Sequence, residues 1–180
     1  MGRQATYGSS RLKEPLRLAL SDVTSILFLC SGNMVRSAYA ELYARHRGCP
    51  VPVQSAATHY RNTGLYPETR AALTGLGIGR LALDSFRSRH LDELGQEIEP
   101  SAVVLGMTKD HLRAFWKHRR TSVELRGRIF LLGDLMWVSE EIPDPVEDGA
   151  PFGQTFDRVA KAVDILMAEL RALRDPAGHS

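Results

Sequence analysis

Cys30 and Arg36 bracket the segment Cys30-Ser31-Gly32-Asn33-Met34-Val35-Arg36-Ser37, a spacing that suits nucleophilic chemistry on a bound oxyanion. The backbone N–H groups of Ser31 to Arg36 can curl round one centre and, with a helix N-terminus behind them, form an anion cradle. Gly32 supplies backbone freedom at the bend. Asn33 can fix the loop through its amide, and Arg36 can hold two oxygens of a phosphate in a bidentate clamp. Ser31, Gly32, Asn33, Met34, Val35, Arg36 and Ser37 are therefore the candidate phosphate-binding residues. The same positive surroundings favour the thiolate of Cys30, the form that attacks, and Ser37 can donate a hydrogen bond to its sulfur. On spacing alone, a buried structural cysteine and an unrelated surface arginine fit as well. The strand pattern before the loop, the glycine within it and the helical pattern after it favour the chemistry.

The elements that must position this loop follow from apolar runs and periods. Ser25 to Leu29 is a short apolar run, as expected for a strand buried on both faces of a parallel sheet. Arg36 to His46 turns helical, with Tyr39, Leu42 and Tyr43 on one side. Further strands are expected at 51–55, 102–105 and 128–132. Helices are expected at 68–76, with Gly77 as the stop, at 109–118 and at 156–173. In the last helix Val159, Val163, Leu166, Met167 and Leu170 recur at spacings of three and four. Alternating strands and helices imply an α/β three-layer sandwich around a central four-stranded parallel sheet, Rossmann-like in organisation. Such sheets bind ligands at the carboxyl ends of their strands, where Cys30 falls. Asp144, in Ile142-Pro143-Asp144-Pro145, follows the last strand by a loop that can return there. By itself it also fits a turn residue held between prolines.

Composition narrows the class. Apolar residues at 43% and charged residues at 24% are ordinary for a globular chain. The formal net charge of +2 is too small to imply nucleic acid or an anionic membrane as partner. Lys117-His118-Arg119-Arg120 reads as a solvated helix end. With only Cys30 and Cys49 there is no disulfide framework, and no ligand set at zinc spacing, so no metal and no cofactor are expected. No signal peptide or membrane span is legible, which points to a soluble protein of the reducing cytoplasm. One domain is expected over residues 23–175. Residues 1–22 read as a flexible extension, in which Leu12 to Leu20 forms at most a turn or two, and 176–180 as a tail.

The chain resembles the low-molecular-weight protein tyrosine phosphatases over residues 24–173. The resemblance is carried by Ile26 to Ser37, Ala40-Glu41, Ser55-Ala56-Ala57-Thr58, Pro67-Glu68-Thr69-Arg70, Gly77-Ile78 and Ile142-Pro143-Asp144-Pro145, with weaker echoes in Arg87-Ser88-Arg89 and Gly106-Met107. It implies a metal-free mechanism in two steps. Cys30 becomes a cysteinyl phosphate, Asp144 serves as acid and then base, and Arg36 with the loop amides holds the equatorial oxygens. The partner is then a phosphorylated protein or a small aryl phosphate, and the state a monomer or weak dimer. The family surrounds its cleft with aromatics, so His59 and Tyr60 are candidates for one wall and Phe152 for the other. Each also fits a partly buried loop anchor.

Several positions depart from the family pattern. Val35 replaces a cysteine able to shelter the nucleophile as a disulfide. Ala38 replaces a proline, and Thr108 replaces an acid. Met34 stands where tyrosine phosphatases usually carry isoleucine and arginine phosphatases threonine, and favours an aryl phosphate. No cysteine follows Cys49, which disfavours arsenate reduction, and no tyrosine pair occupies 146–153. The alternatives to tyrosine phosphatase are a protein-arginine phosphatase and a phosphate-binding module without turnover.

Overall fold

The apolar run becomes strand β1, Ile26–Cys30, and all five residues are buried. Its side chains alternate between two cores. Ile26, Phe28 and Cys30 join one cluster and Leu27 and Leu29 the other. This two-sided burial is why the run shows no polar alternation. The computed structural model describes residues 12–94, 98–118, 125, 127–136 and 140–175.

Strands β2 (Val53–Ala57), β3 (Val103–Gly106) and β4 (Ile129–Leu131) complete a sheet of order β2-β1-β3-β4 in which every pairing is parallel. The chain leaves β1 towards β2 on one side and returns to β3 on the other. The carboxyl end of β1 is therefore a topological switch point, where open α/β sheets leave a crevice. Helices α1 (Glu14–Ser21), α2 (Arg36–His46), α3 (Pro67–Gly75), α4 (Arg80–Ser85) and α6 (Phe152–Arg174) contribute to the core on one face. Helix α5 (Lys109–His118) and a 3₁₀ turn at Leu91–Leu94 cover the other with Phe115, Leu91 and Leu94. The expected three-layer sandwich is present.

Four details depart from expectation. Residues 14–21 are not a flexible extension. They form α1, packed against α6 with Leu16, Ala19 and Leu20 buried; the short apolar stripe is too small to be recognised without its partner helix. The second strand starts at Val53, just after Pro52, which has no N–H to give to the ladder. Helix α6 starts at Phe152, directly after Pro151 at its N-cap. Helix α4 was not expected at all. Gly77 does end α3, with φ of 83°, and the Ile78 N–H bonds back to Leu73 O at 3.2 Å. Residues 1–11, the 176–180 tail, Arg119 and Arg120 lie outside the described residues.

Candidate active site

Cys30 ends β1, and Arg36 opens α2, so the loop between them lies at the carboxyl edge of the sheet. The N–H of Asn33 points at Cys30 Sγ from 3.3 Å. Among the described residues, no acceptor meets the N–H groups of Gly32, Met34, Val35 or Arg36. They are the unpaired donors of a helix N-terminus and the loop before it, as an anion cradle requires.

The loop is held from behind by Asn33, which is fully buried. Its φ of 53° makes it the left-handed residue of the loop, a conformation asparagine tolerates better than most. The freedom expected at Gly32 therefore belongs to Asn33. Gly32 is needed for space instead, because a Cβ there would sit 2.7 Å from the Asn62 amide nitrogen, which donates to Gly32 O at 2.9 Å.

The Asn33 amide is oriented by its partners. The backbone N–H of Arg89 can only donate, and it meets Oδ1 at 2.9 Å. Nδ2 then donates to Ser37 Oγ at 2.9 Å and to Ser55 Oγ at 2.6 Å. With its oxygen already accepting, Ser37 can donate its proton to Cys30 Sγ, 3.0 Å away, the arrangement that favours a thiolate. Ser55 in turn donates to the buried carboxylate of Glu41, whose pKa is raised by burial although Ser55 and Arg45 oppose the shift. Ser88 Oγ ties Asn33 O at 2.6 Å.

Arg36 is only 2% exposed. Its Nη1 donates to Ile142 O at 2.9 Å and its Nη2 to Ser31 Oγ at 3.2 Å and to the Asp144 carboxylate. Its Nε is buried and without a partner, which leaves a donor beside Nη2 for an oxygen of an incoming anion. Asp144 is placed by the return of its loop. The Ile142 N–H bonds Met107 O at the end of β3 at 2.8 Å. Asp144 Oδ1 accepts from the Val146 N–H at 2.9 Å, and the Asp144 N–H donates to Asp148 at 2.7 Å.

On the other side, His111 supports Ser31. The Thr108 N–H donates to His111 Nδ1 at 3.0 Å, so Nε2 carries the proton and donates to Ser31 Oγ at 3.0 Å. Burial, with Arg36 and His59 nearby, lowers the His111 pKa to about 3. The imidazole is thus neutral at pH 7. Ser31 Oγ accepts from both Arg36 and His111, and its own proton is free to face the cradle.

The cleft over Cys30 has a volume of about 340 Å³ and is walled by Met34, Val35, Tyr60, Tyr66 and Val146, with Asp144 and Glu147 at one side. Of the aromatics singled out in the sequence, Tyr60 lines it. His59 does not: it bonds Thr58 Oγ1 at 2.7 Å and Asp110 at 3.0 Å. Phe152 does not either. It stacks at 5.6 Å on Tyr66, which takes the wall position. Asn33 and Ser37 sit behind the cradle rather than in it. Sequence reading assigned no role to Glu41, Ser55, Tyr66 or His111. The available signals were a glutamate between Ala40 and Leu42, a serine ahead of Ala56-Ala57, and a histidine in the first turn after β3.

A cysteine on an anion cradle at a sheet switch point, clamped by a buried arginine and faced by a carboxylate, defines a cysteine-dependent phosphatase. The family model of the low molecular weight phosphotyrosine protein phosphatases matches residues 25–175, and the chain belongs to that family. The solved structures agree on the fold. The YwlE arginine phosphatase of Geobacillus stearothermophilus is 24% identical, with TM-score 0.69 over 87% of this chain and 98% of its own. The low molecular weight protein tyrosine phosphatase SP-PTP of Streptococcus pyogenes is 18% identical, also with TM-score 0.69, over 88% of this chain and 100% of its own. YfkJ of Bacillus subtilis is 22% identical with TM-score 0.67, over 83% and 95%. No curated protein matches the chain. Among the described residues no helix is long and apolar enough to cross a membrane.

Proposed function

We propose that the protein removes phosphate from tyrosine side chains of proteins, with Cys30 as nucleophile, Arg36 as phosphate clamp and Asp144 as general acid and base. The observation that carries the reading is the buried, unpartnered Nε of Arg36 above the Cys30 loop. A buried donor without an acceptor costs about 1–3 kcal/mol, a cost that a bound phosphate oxygen would remove.

In the first step Cys30 Sγ attacks phosphorus as the P–O bond to the aryl group breaks, and Asp144 gives its proton to the departing oxygen. In the resting state Asp144 is paired with Arg36. An arriving phosphate monoanion takes over the guanidinium and passes its proton to the freed Asp144 carboxylate, which then holds it for the leaving group. Ser37 stabilises the sulfur as thiolate before attack and again as it leaves. In the second step water attacks the cysteinyl phosphate, Asp144 takes a proton from that water, the S–P bond breaks and inorganic phosphate departs. The loop amides and Arg36 hold the equatorial oxygens throughout. Walls of Met34, Tyr60, Tyr66 and Val146 suit an aromatic ring. Two free cysteines fit a reducing cytoplasmic setting.

Turnover of p-nitrophenyl phosphate without added metal tests the chemistry. A wild-type rate no greater than that of Cys30→Ser would overturn it. A second reading, protein-arginine phosphatase, is favoured by Glu147, a second carboxylate in the cleft that suits a cationic guanidinium. The ratio of kcat/KM for matched phosphotyrosine and phosphoarginine peptides decides between them, and Met34→Thr should move that ratio towards phosphoarginine.

A further inference from the structure

We propose that His90, Asp92 and His118 form a binding site for a divalent transition metal of the zinc type, outside the catalytic cleft and unused by the cysteine chemistry. One donor atom from each residue lies within 4.8 Å of the other two. His90 Nδ1 is 3.0 Å from one oxygen of Asp92, and His118 Nε2 contacts the other oxygen. Donors sharing one zinc at about 2.0–2.2 Å can be no more than roughly 4 Å apart, so a small side-chain rotation closes the set. Two imidazoles and a carboxylate are a ligand set that zinc takes with a water completing the tetrahedron.

The three residues come from two segments, His90 and Asp92 from one and His118 from a helix 26 residues further on. His90 pairs with Ala57 in a bridge at the end of β2. Asp92 sits in the 3₁₀ turn whose Leu91 and Leu94 are buried. His118 is the last residue of α5, where the helix carbonyls favour a cation. The site also has a route for its charge. Asp92 holds Arg61 in the resting state, and Arg61 has a second acid, Glu93, at 3.1 Å. A metal on Asp92 displaces Arg61 without stranding it. Because Arg61 also lines the cleft, occupancy reaches the mouth of the phosphate site.

The test is calorimetric titration of Zn²⁺ into the full chain carrying Cys30→Ser, which removes the nucleophile as a competing ligand. One ion per chain with micromolar affinity is expected, weakened at least tenfold by His118→Ala and by Asp92→Asn added to that background. His118 and Asp92 have side chains 34% and 41% exposed, so these variants should keep the wild-type circular dichroism. Absence of saturable binding, or binding unchanged by both substitutions, overturns the site and leaves a solvated ion-pair cluster. The measurement uses a catalytically silent chain, so its failure leaves the phosphatase reading standing, and failure of that reading leaves the metal site standing.

Discussion

Asn33→Ala probes the support of the nucleophile directly. The substitution removes bonds of 2.9 Å to Ser37, 2.6 Å to Ser55 and 2.9 Å from the Arg89 N–H, at a position with no solvent access. Each such bond contributes about 0.5–1.5 kcal/mol net, and the stranded Arg89 N–H belongs at the upper end. Alanine at φ of 53° adds strain, which for a non-glycine residue is roughly 1 kcal/mol or more. The sum is about 3–5 kcal/mol, a large share of the ~5–15 kcal/mol that holds a domain folded. Urea unfolding followed by circular dichroism measures it. Asn33→Gly loses the same bonds without the strain and should be more stable than the alanine variant by about 1 kcal/mol. In the folded variant Ser37 no longer has its acceptor side occupied, its proton is less firmly directed at Cys30, and kcat for p-nitrophenyl phosphate should fall about tenfold or more. The reasoning is refuted if Asn33→Ala unfolds within about 0.5 kcal/mol of wild type, or if it is fully active.

Asp144→Asn should lower kcat by about 10²–10⁴-fold, with a larger loss for phenyl phosphate than for the better leaving group of p-nitrophenyl phosphate; equal losses would remove Asp144 from the acid role. His111 is neutral in the fold with a pKa near 3 against 6.5 for the free side chain. The unfolded chain therefore binds the proton first, and this contribution to stability is complete above pH 6.5 and lost as pH falls from 6.5 towards 3. His111→Gln should accordingly lose less stability than wild type between pH 7 and pH 4.5, as read from urea midpoints; parallel losses would contradict the buried neutral imidazole. Leu16→Ala and Leu20→Ala, in the helix that sequence reading treats as an appendage, should each cost about 2–5 kcal/mol, and a change under half that range would return α1 to the status of an ornament. Peroxide should inactivate without forming a Cys30–Cys49 disulfide, since Cys49 lies beyond the far end of α2, whose 11 residues span about 16 Å. A non-reducing mass spectrum containing that linkage would disprove the separation.

The local elements were legible because their signals are local. A run from Ile26 to Leu29 without polar interruption suits a strand covered on both sides, and the three-and-four spacing from Val159 to Leu170 suits a helix lying on a core. Cys30, Ser31, Gly32, Arg36 and Ser37 could be read together because one loop contains them all. Asp144 could be nominated because prolines on both sides mark a rigid turn after the last strand. The reading failed where a side chain's role depends on a distant partner. Asn33 is the left-handed residue because Ser37, Ser55 and Arg89 hold its amide. Tyr66, rather than Phe152 or His59, faces the cleft because Phe152 stacks behind it and Asp110 holds His59 aside.

The sequence by itself determined the parallel α/β organisation and nominated Cys30, Arg36 and Asp144 as nucleophile, clamp and acid, since each depends on residue type, short spacing or order along the chain. Tertiary structure alone decided that α1 belongs to the core, that His111 is a neutral prop for Ser31, and that His90, Asp92 and His118 meet. Those outcomes rest on packing and desolvation between segments that are far apart in the chain, where no local period or motif records which groups will be neighbours.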